Sequence, residues 1–158
     1  MKRPIFACLA SICLLAASST QGADDLKLKL ADAKFKLGTG TPVELVGLND
    51  GEGKIFYYAP GAAEWTFKLS DDGPFIIHVT ASCDAALKTN ANFKVSIDGK
   101  DVGEEVKLTT AGENEYKLEA KLTPGEHKLA INYTNDIYKE NEYDRNLYIH
   151  AVTLKPKK

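Results

Sequence analysis

The chain has 158 residues, with 20 Lys and Arg against 22 Asp and Glu and a formal charge of −2. A chain of this length makes one domain that can bury a core without staples. Its balanced charge, with no basic cluster beyond Lys155-Pro156-Lys157-Lys158, excludes nucleic acid as an expected partner, because phosphate backbones select a clustered positive footprint.

The first predicted element is a targeting signal. Lys2 and Arg3 make a short cationic start, Ile5 to Ala17 is an apolar run, and Ser18-Ser19-Thr20-Gln21-Gly22 is a small, polar exit. The run is short for a bilayer span and no second one follows. Residues 1–22 are therefore read as a signal peptide and residues 23–158 as the module, with no membrane span in the mature chain and a secreted or periplasmic destination. Removal of Lys2 and Arg3 takes the formal charge from −2 to −4. Cys8 and Cys13 fall inside the leader, so Cys83 has no intramolecular disulfide partner. Its place at the end of a strand-like run predicts a buried structural thiol.

The mature chain reads with a period of two. Leu26, Leu28 and Leu30 alternate with lysines, as do Phe35 and Leu37; Trp65, Phe67 and Leu69 follow the same rule. Further runs are Phe93-Val95-Ile97, Tyr116-Leu118-Ala120, Leu129-Ile131-Tyr133 and Leu147-Ile149-Ala151. Each is the pattern of a strand with one apolar face. Turn clusters separate them: Asn49-Asp50-Gly51, Asp71-Asp72-Gly73-Pro74, Asp98-Gly99-Lys100 and Thr123-Pro124-Gly125. Asp98-Gly99 is a two-residue hairpin signal. No stretch has a helical period. The prediction is an all-β, single-domain antiparallel β-sandwich of jelly-roll type. Pro60-Gly61-Ala62-Ala63 and Asp136 to Asp144 are the segments read as irregular.

The periodicity of Trp65 favours a core position over a sugar-stacking one. Adjacent Tyr57 and Tyr58 must point to opposite faces, so one is expected inside and the other on a candidate binding surface. His78, His127 and His150 are far apart and lack zinc-ligand spacing. There is no Gly-x-Ser-x-Gly elbow, no Cys-x-x-Cys and no phosphate-cradling glycine loop. Nothing selects a catalytic pair from the many carboxylates.

The segment from Thr134 to Asn146 concentrates hard oxygen donors: Asn135, Asp136, Glu140, Asn141, Glu142, Asp144 and Asn146. Calcium takes six to eight such oxygens. Tyr138 and Tyr143 lie in the same segment, where their rings could pack on sugars, and Arg145 could pair with a carboxylate and fix the loop. By composition alone, a solvated acidic hairpin loop explains the same residues.

Tyr133-Thr134-Asn135-Asp136, followed by Asp144-Arg145-Asn146-Leu147-Tyr148-Ile149, resembles the C-terminal signature of calcium-dependent xylan-binding modules, carbohydrate-binding module families thirty-six and sixty. Phe93 to Lys100 and Pro124 to Leu129 resemble the same group at pattern level. The resemblance implies a calcium ion held by Asp136, by Asp144 and by the backbone carbonyl of Tyr143, with positions left for vicinal sugar hydroxyls. It implies sugar contact by Tyr138, Tyr143 and Asn146, and a loop-fixing role for Asn135 and Arg145. Tyr143 departs from the Trp or small residue expected there. The expected function is noncatalytic binding of xylan-like or other β-linked polysaccharide. The alternatives are a structural or adaptor domain stiffened by calcium, and a small secreted enzyme.

Overall fold

The structure, a computed structural model, describes residues 24–38 and 42–158; the signal peptide read over residues 1–22 lies outside the described residues. Among the described residues, thirteen strands form two sheets with antiparallel pairing throughout. In chain order they are β1 (Leu26–Leu28), β2 (Lys34–Leu37), β3 (Val46–Asn49), β4 (Lys54–Tyr57), β5 (Gly61–Leu69), β6 (Gly73–Asp84), β7 (Asn92–Ile97), β8 (Lys100–Asp101), β9 (Val106–Lys107), β10 (Asn114–Leu122), β11 (Gly125–Tyr133), β12 (Ile137–Lys139) and β13 (Tyr143–Pro156). The larger sheet runs β10-β6-β13-β4-β3, with β1 and β12 also paired to β13. The smaller runs β2-β5-β11-β7-β8, with β9 also paired to β7.

The alternation explains the layering. Trp65, Phe67 and Leu69, Phe93, Val95 and Ile97, and Leu129 and Ile131 are buried from the smaller sheet, and meet Ile55, Tyr57, Ile77, Val79, Leu147 and Ile149 from the larger. Trp65 lies inside and its indole N–H donates to the Lys29 carbonyl at 2.9 Å. Cys83 is buried, and burial raises its thiol pKa. At the β7–β8 hairpin, Asp98 (φ 51°) and Gly99 (φ 78°) both take positive φ, as a two-residue turn of this kind requires.

Three readings need correction. Leu30 leaves the strand pattern and enters a short 3-10 turn, Leu30–Asp32. Gly61-Ala62-Ala63 is the start of β5, not an irregular segment. A Cβ on Gly61 would stand 2.9 Å from the Lys36 carbonyl, so close approach of β2 explains the glycine there. In β13 the expected inward series Leu147-Ile149-Ala151 breaks at a bulge between Ile149 and Ala151. The added residue reverses the faces, and Val152 and Leu154 are buried in place of Ala151.

Candidate functional site

The segment after β11 folds as a hairpin, which corrects the irregular loop read from the sequence. β12 pairs with the start of β13 in the register Ile137↔Arg145, Tyr138↔Asp144 and Lys139↔Tyr143. Asn141 takes φ 59° in the turn, and Lys139 and Glu142 form an ion pair across it. Alternation then sorts the residues of β13: Asp144, Asn146 and Tyr148 share one face, and Tyr143, Arg145 and Leu147 the other.

Arg145 is buried and anchors this region. Its guanidinium donates to the carbonyls of Asn135 at 2.5 Å, Ala86 at 2.9 Å and Thr89 at 3.1 Å. These partners are carbonyls, where the sequence suggested a carboxylate. Two of them bracket a tight turn in which Leu87 (φ 51°) and Lys88 (φ 61°) are both left-handed. Asn135 ties the hairpin to the same neighbourhood. Its Oδ1 accepts from the Asn92 N–H at 2.6 Å and its Nδ2 donates to the Asn90 carbonyl at 3.0 Å. Beneath them the Tyr133 hydroxyl donates to the Arg145 carbonyl at 2.6 Å.

On this base sits an open cleft of about 730 Å³. Asp136, Asp144 and Asn146 contribute oxygens to it; Tyr58, Tyr138 and Tyr148 contribute rings, with Leu45 and Ala59 completing the lining. Tyr138 is 64 % exposed and Tyr58 39 %. Tyr57, the neighbour of Tyr58, is fully buried, as the adjacency of the two predicts. Tyr58 stacks on Phe56 at 4.7 Å and meets the Tyr148 ring edge-on at 6.2 Å. Gly47 lies opposite Phe56 in the sheet, where a Cβ would approach that ring to 3.2 Å.

The polar side of the cleft is held by a short chain of hydrogen bonds. Asn146 Nδ2 donates to Asp144 Oδ2 and to Asp84 Oδ2, each at 3.1 Å, and the Tyr148 hydroxyl donates to the same Asp84 oxygen at 2.5 Å. Burial, then the bond to Asp84, pushes the Tyr148 phenol well above its usual range. Among the described residues, two buried side-chain oxygens have no partner, Asp136 Oδ1 and Asn146 Oδ1. Burial, then the neighbouring Asp144 charge, holds the Asp136 carboxyl above the usual carboxylate range; the Ile137 N–H, Arg145 and the Tyr133 hydroxyl oppose this. A buried acceptor without a donor costs about 1–3 kcal/mol, and a cation at that point would remove the cost.

Among the described residues, no group of three or more His, Cys, Asp and Glu side chains is placed to hold a metal ion. A cation in the cleft would thus need amide or backbone oxygens and outside ligands besides Asp136 and Asp144. The donor set is all oxygen, which suits calcium over zinc. The three histidines are engaged separately: His78 with Glu115, His127 with Asp98 and His150 with Ser82.

The structure therefore brings Asp136, Asp144, Asn146 and Tyr138 together and sets Asn135 and Arg145 behind them. It does not bring the Tyr143 side chain to the cleft, because alternation turns it to the face opposite Asp144. Tyr148, Asp84, Leu45 and Ala59 were not singled out by sequence reasoning. Tyr148 carried a usable signal, as an outward aromatic two residues from Asn146 on one strand face. Leu45, Ala59 and Asp84 carried none, since only folding brings them near.

Residues 76–158 match carbohydrate-binding module family 60, described as a Ca-dependent carbohydrate-binding module that binds xylan. The chain belongs to this family. It is a polysaccharide-binding module. The matched stretch contains Asp84, Asp136, Asp144, Asn146 and Tyr148, whereas Leu45, Tyr58 and Ala59 reach the cleft from outside it.

Solved structures place the fold among carbohydrate-binding modules. A family 35 module from Clostridium thermocellum superposes with a TM-score of 0.60 at 14 % identity, over 85 % of this chain and 100 % of that one. The CBM36-1 domain of a multidomain xylanase from the hindgut metagenome of Trinervitermes trinervoides gives 0.60 at 11 %, over 85 % and 99 %. The Podospora anserina GH26-CBM35 β-(1,4)-mannanase gives 0.59 at 12 %, over 85 % of this chain and 28 % of that protein. No curated protein matches the chain in sequence.

Proposed function

We propose that the chain is an exported, noncatalytic module that binds xylan-like or other β-linked glycans through vicinal hydroxyls on an open calcium site in the cleft. The observation that carries this reading is the pair of partnerless buried oxygens, Asp136 Oδ1 and Asn146 Oδ1, on residues that line a cleft with three tyrosines. Asp136 and Asp144 would hold the ion, and the Tyr143 carbonyl is the backbone ligand that the family resemblance implies. Calcium bound there would leave coordination positions that a vicinal equatorial diol can fill with two oxygens.

The chain's own residues supply the rest. Tyr58 and Tyr138 offer exposed ring faces to the apolar side of a sugar. Arg145 and Asn135 hold the hairpin so that the oxygens are set before the ligand arrives, which lowers the ordering cost of binding. Few polar groups are engaged and each sugar hydroxyl gives up hydrogen bonds to water, so affinity is expected to be modest. Several β-linked sugars should be accepted, because a diol is read and not a whole chain. Export rests on the Lys2-Arg3 start and the apolar run that follows.

The test is retention of the mature chain on insoluble xylan, galactan and cellulose, with added calcium or with chelator. Retention on xylan should need calcium, and Asp136→Ala should lose it while keeping a β-rich circular dichroism spectrum. Retention that survives chelator would place the sugar elsewhere. Calcium-dependent stabilisation without retention on any glycan would leave a structural ion as the better reading.

A further inference from the structure

Asn146 is the most constrained side chain of the cleft. It is 6 % exposed, and both bonds from its Nδ2 run to carboxylates, Asp84 and Asp144. An Asn amide offers donors on nitrogen alone and acceptor lone pairs on oxygen alone. Turned over, it would set its oxygen against two carboxylate oxygens. The network thus leaves one orientation, with Nδ2 toward Asp84 and Asp144 and Oδ1 directed away from them. That oxygen has no partner although it is buried.

Asp84 stands outside the cleft lining, at the last position of β6, directly across the sheet from Asn146. One of its oxygens, Oδ2, accepts from both Asn146 and the Tyr148 hydroxyl. A single atom on a rigid strand therefore fixes an amide on the metal-binding side and a phenol on the ring side. Asp144 cannot do this alone. Being two residues from Asn146 and proposed as a metal ligand, it has its charge claimed by the ion.

We propose that Asp84 is a positioning residue for the cation site: through Oδ2 it orients the Asn146 amide so that Asn146 Oδ1 serves as a neutral ligand to the cation, alongside Asp136 and Asp144. This rests on the calcium reading of the cleft and extends it. Asn146 becomes a metal ligand, where the sequence suggested sugar contact, and Asp84 becomes its support. A neutral amide oxygen raises the ligand count without adding charge, which suits a site that must still accept neutral sugar hydroxyls. Outer partners of this kind orient ligands in many metal sites.

The experiment is calorimetric titration of calcium alone into the mature chain, without glycan, in a double-mutant cycle. Asp84→Ala should weaken calcium binding roughly three- to tenfold, the scale of leaving one ligand side chain unordered. Asp84→Asn should cost less, because its amide oxygen can still accept from Asn146. In the Asn146→Ala background, Asp84→Ala should have no further effect. Thermal melts of the metal-free proteins check folding, with Asn146→Ser as a second background if Asn146→Ala melts early. Equal calcium affinity for the wild type and Asp84→Ala overturns the proposal. So does the same loss from Asp84→Ala in both backgrounds, or equal loss from Asp84→Asn and Asp84→Ala, since either means that the carboxylate acts by charge through space. Failure of the wild type to bind calcium at all sinks the calcium reading as well, an outcome distinct from the others.

Discussion

Replacing Arg145 with Lys keeps the charge and nearly the length of the side chain, and so isolates the geometry of the guanidinium. The planar fork reaches three carbonyls from two directions, those of Ala86 and Thr89 on one loop and of Asn135 on another. An ammonium is a point donor and cannot span both loops. It keeps one carbonyl and loses its bonds to the other two, although the Ala86 and Thr89 carbonyls each still accept the other's backbone N–H. A hydrogen bond to a charged group contributes about 1.5–3 kcal/mol; the bonds to Asn135 and Thr89 are only partly buried, so the low end applies to them. With strain returned to the left-handed Leu87-Lys88 turn, the total is about 3 kcal/mol. For a domain of this size that is a fall of about 10 °C in Tm. The assay is thermal and urea unfolding of both proteins in chelator, so that metal does not contribute. The urea midpoint should fall with the slope unchanged. A Tm within about 3 °C of the wild type would refute the view that Arg145 organises this end of the sandwich.

Three further outcomes are expected. Tyr57→Phe should lose about 2 kcal/mol in urea unfolding, because the buried hydroxyl donates to the Ile131 carbonyl and accepts from the Ala63 N–H, both at 3.1 Å; a loss under about 0.5 kcal/mol would contradict it. His127 bonds acceptors with both ring nitrogens, Asp98 Oδ2 at 2.7 Å and the Thr123 carbonyl at 2.8 Å, so it must be doubly protonated to satisfy both. The Asp98 bond, then the Thr123 carbonyl, raises its pKa against burial, and the bond to His127 lowers that of Asp98. Lys100, Asp101, Glu119 and Lys121 line the same cavity and share its field. The His127 contribution is therefore complete below about pH 6.5 and fades as pH rises through its raised value. The Asp98 contribution is present at neutral pH and fades as pH falls through its lowered value. Melts from pH 4 to 9 should show that loss on the alkaline side, and His127→Gln should flatten it; an unchanged profile would discard the ion pair. Finally, millimolar calcium should raise the wild-type Tm by mass action, and Asp144→Ala should remove most of the rise in differential scanning calorimetry.

The strands were legible because their two faces see different solvents. Trp65-Phe67-Leu69 and Phe93-Val95-Ile97 alternate in sequence as they alternate in burial. The bulge in β13 was not legible, since the extra residue is set by pairing with β6 and leaves no local mark. The oxygen-rich stretch from Asn135 to Asn146 showed which residue types the cleft would use. It could not show that Ile137-Tyr138-Lys139 forms a strand, and hence that Tyr138 rather than Tyr143 stands beside Asp144. Asp84 and Tyr58 are far from that stretch in sequence, and only the pairings of β13 with β6 and of β13 with β4 bring them to it.

The dependence of the larger sheet on β13 also orders assembly. The smaller sheet draws on residues 34–133, so it is complete before β13 is available. β6, β4, β1 and β12 all need β13 as a neighbour. While the chain is being made, the β3–β4 and β6–β10 pairs have no strand to join them over the inner face of the smaller sheet, with Trp65, Phe67, Phe93 and Ile131, until β13 arrives. Such exposed apolar surface invites aggregation. Arrival of residues 143–156 joins the two pairs into one sheet and ends that exposure.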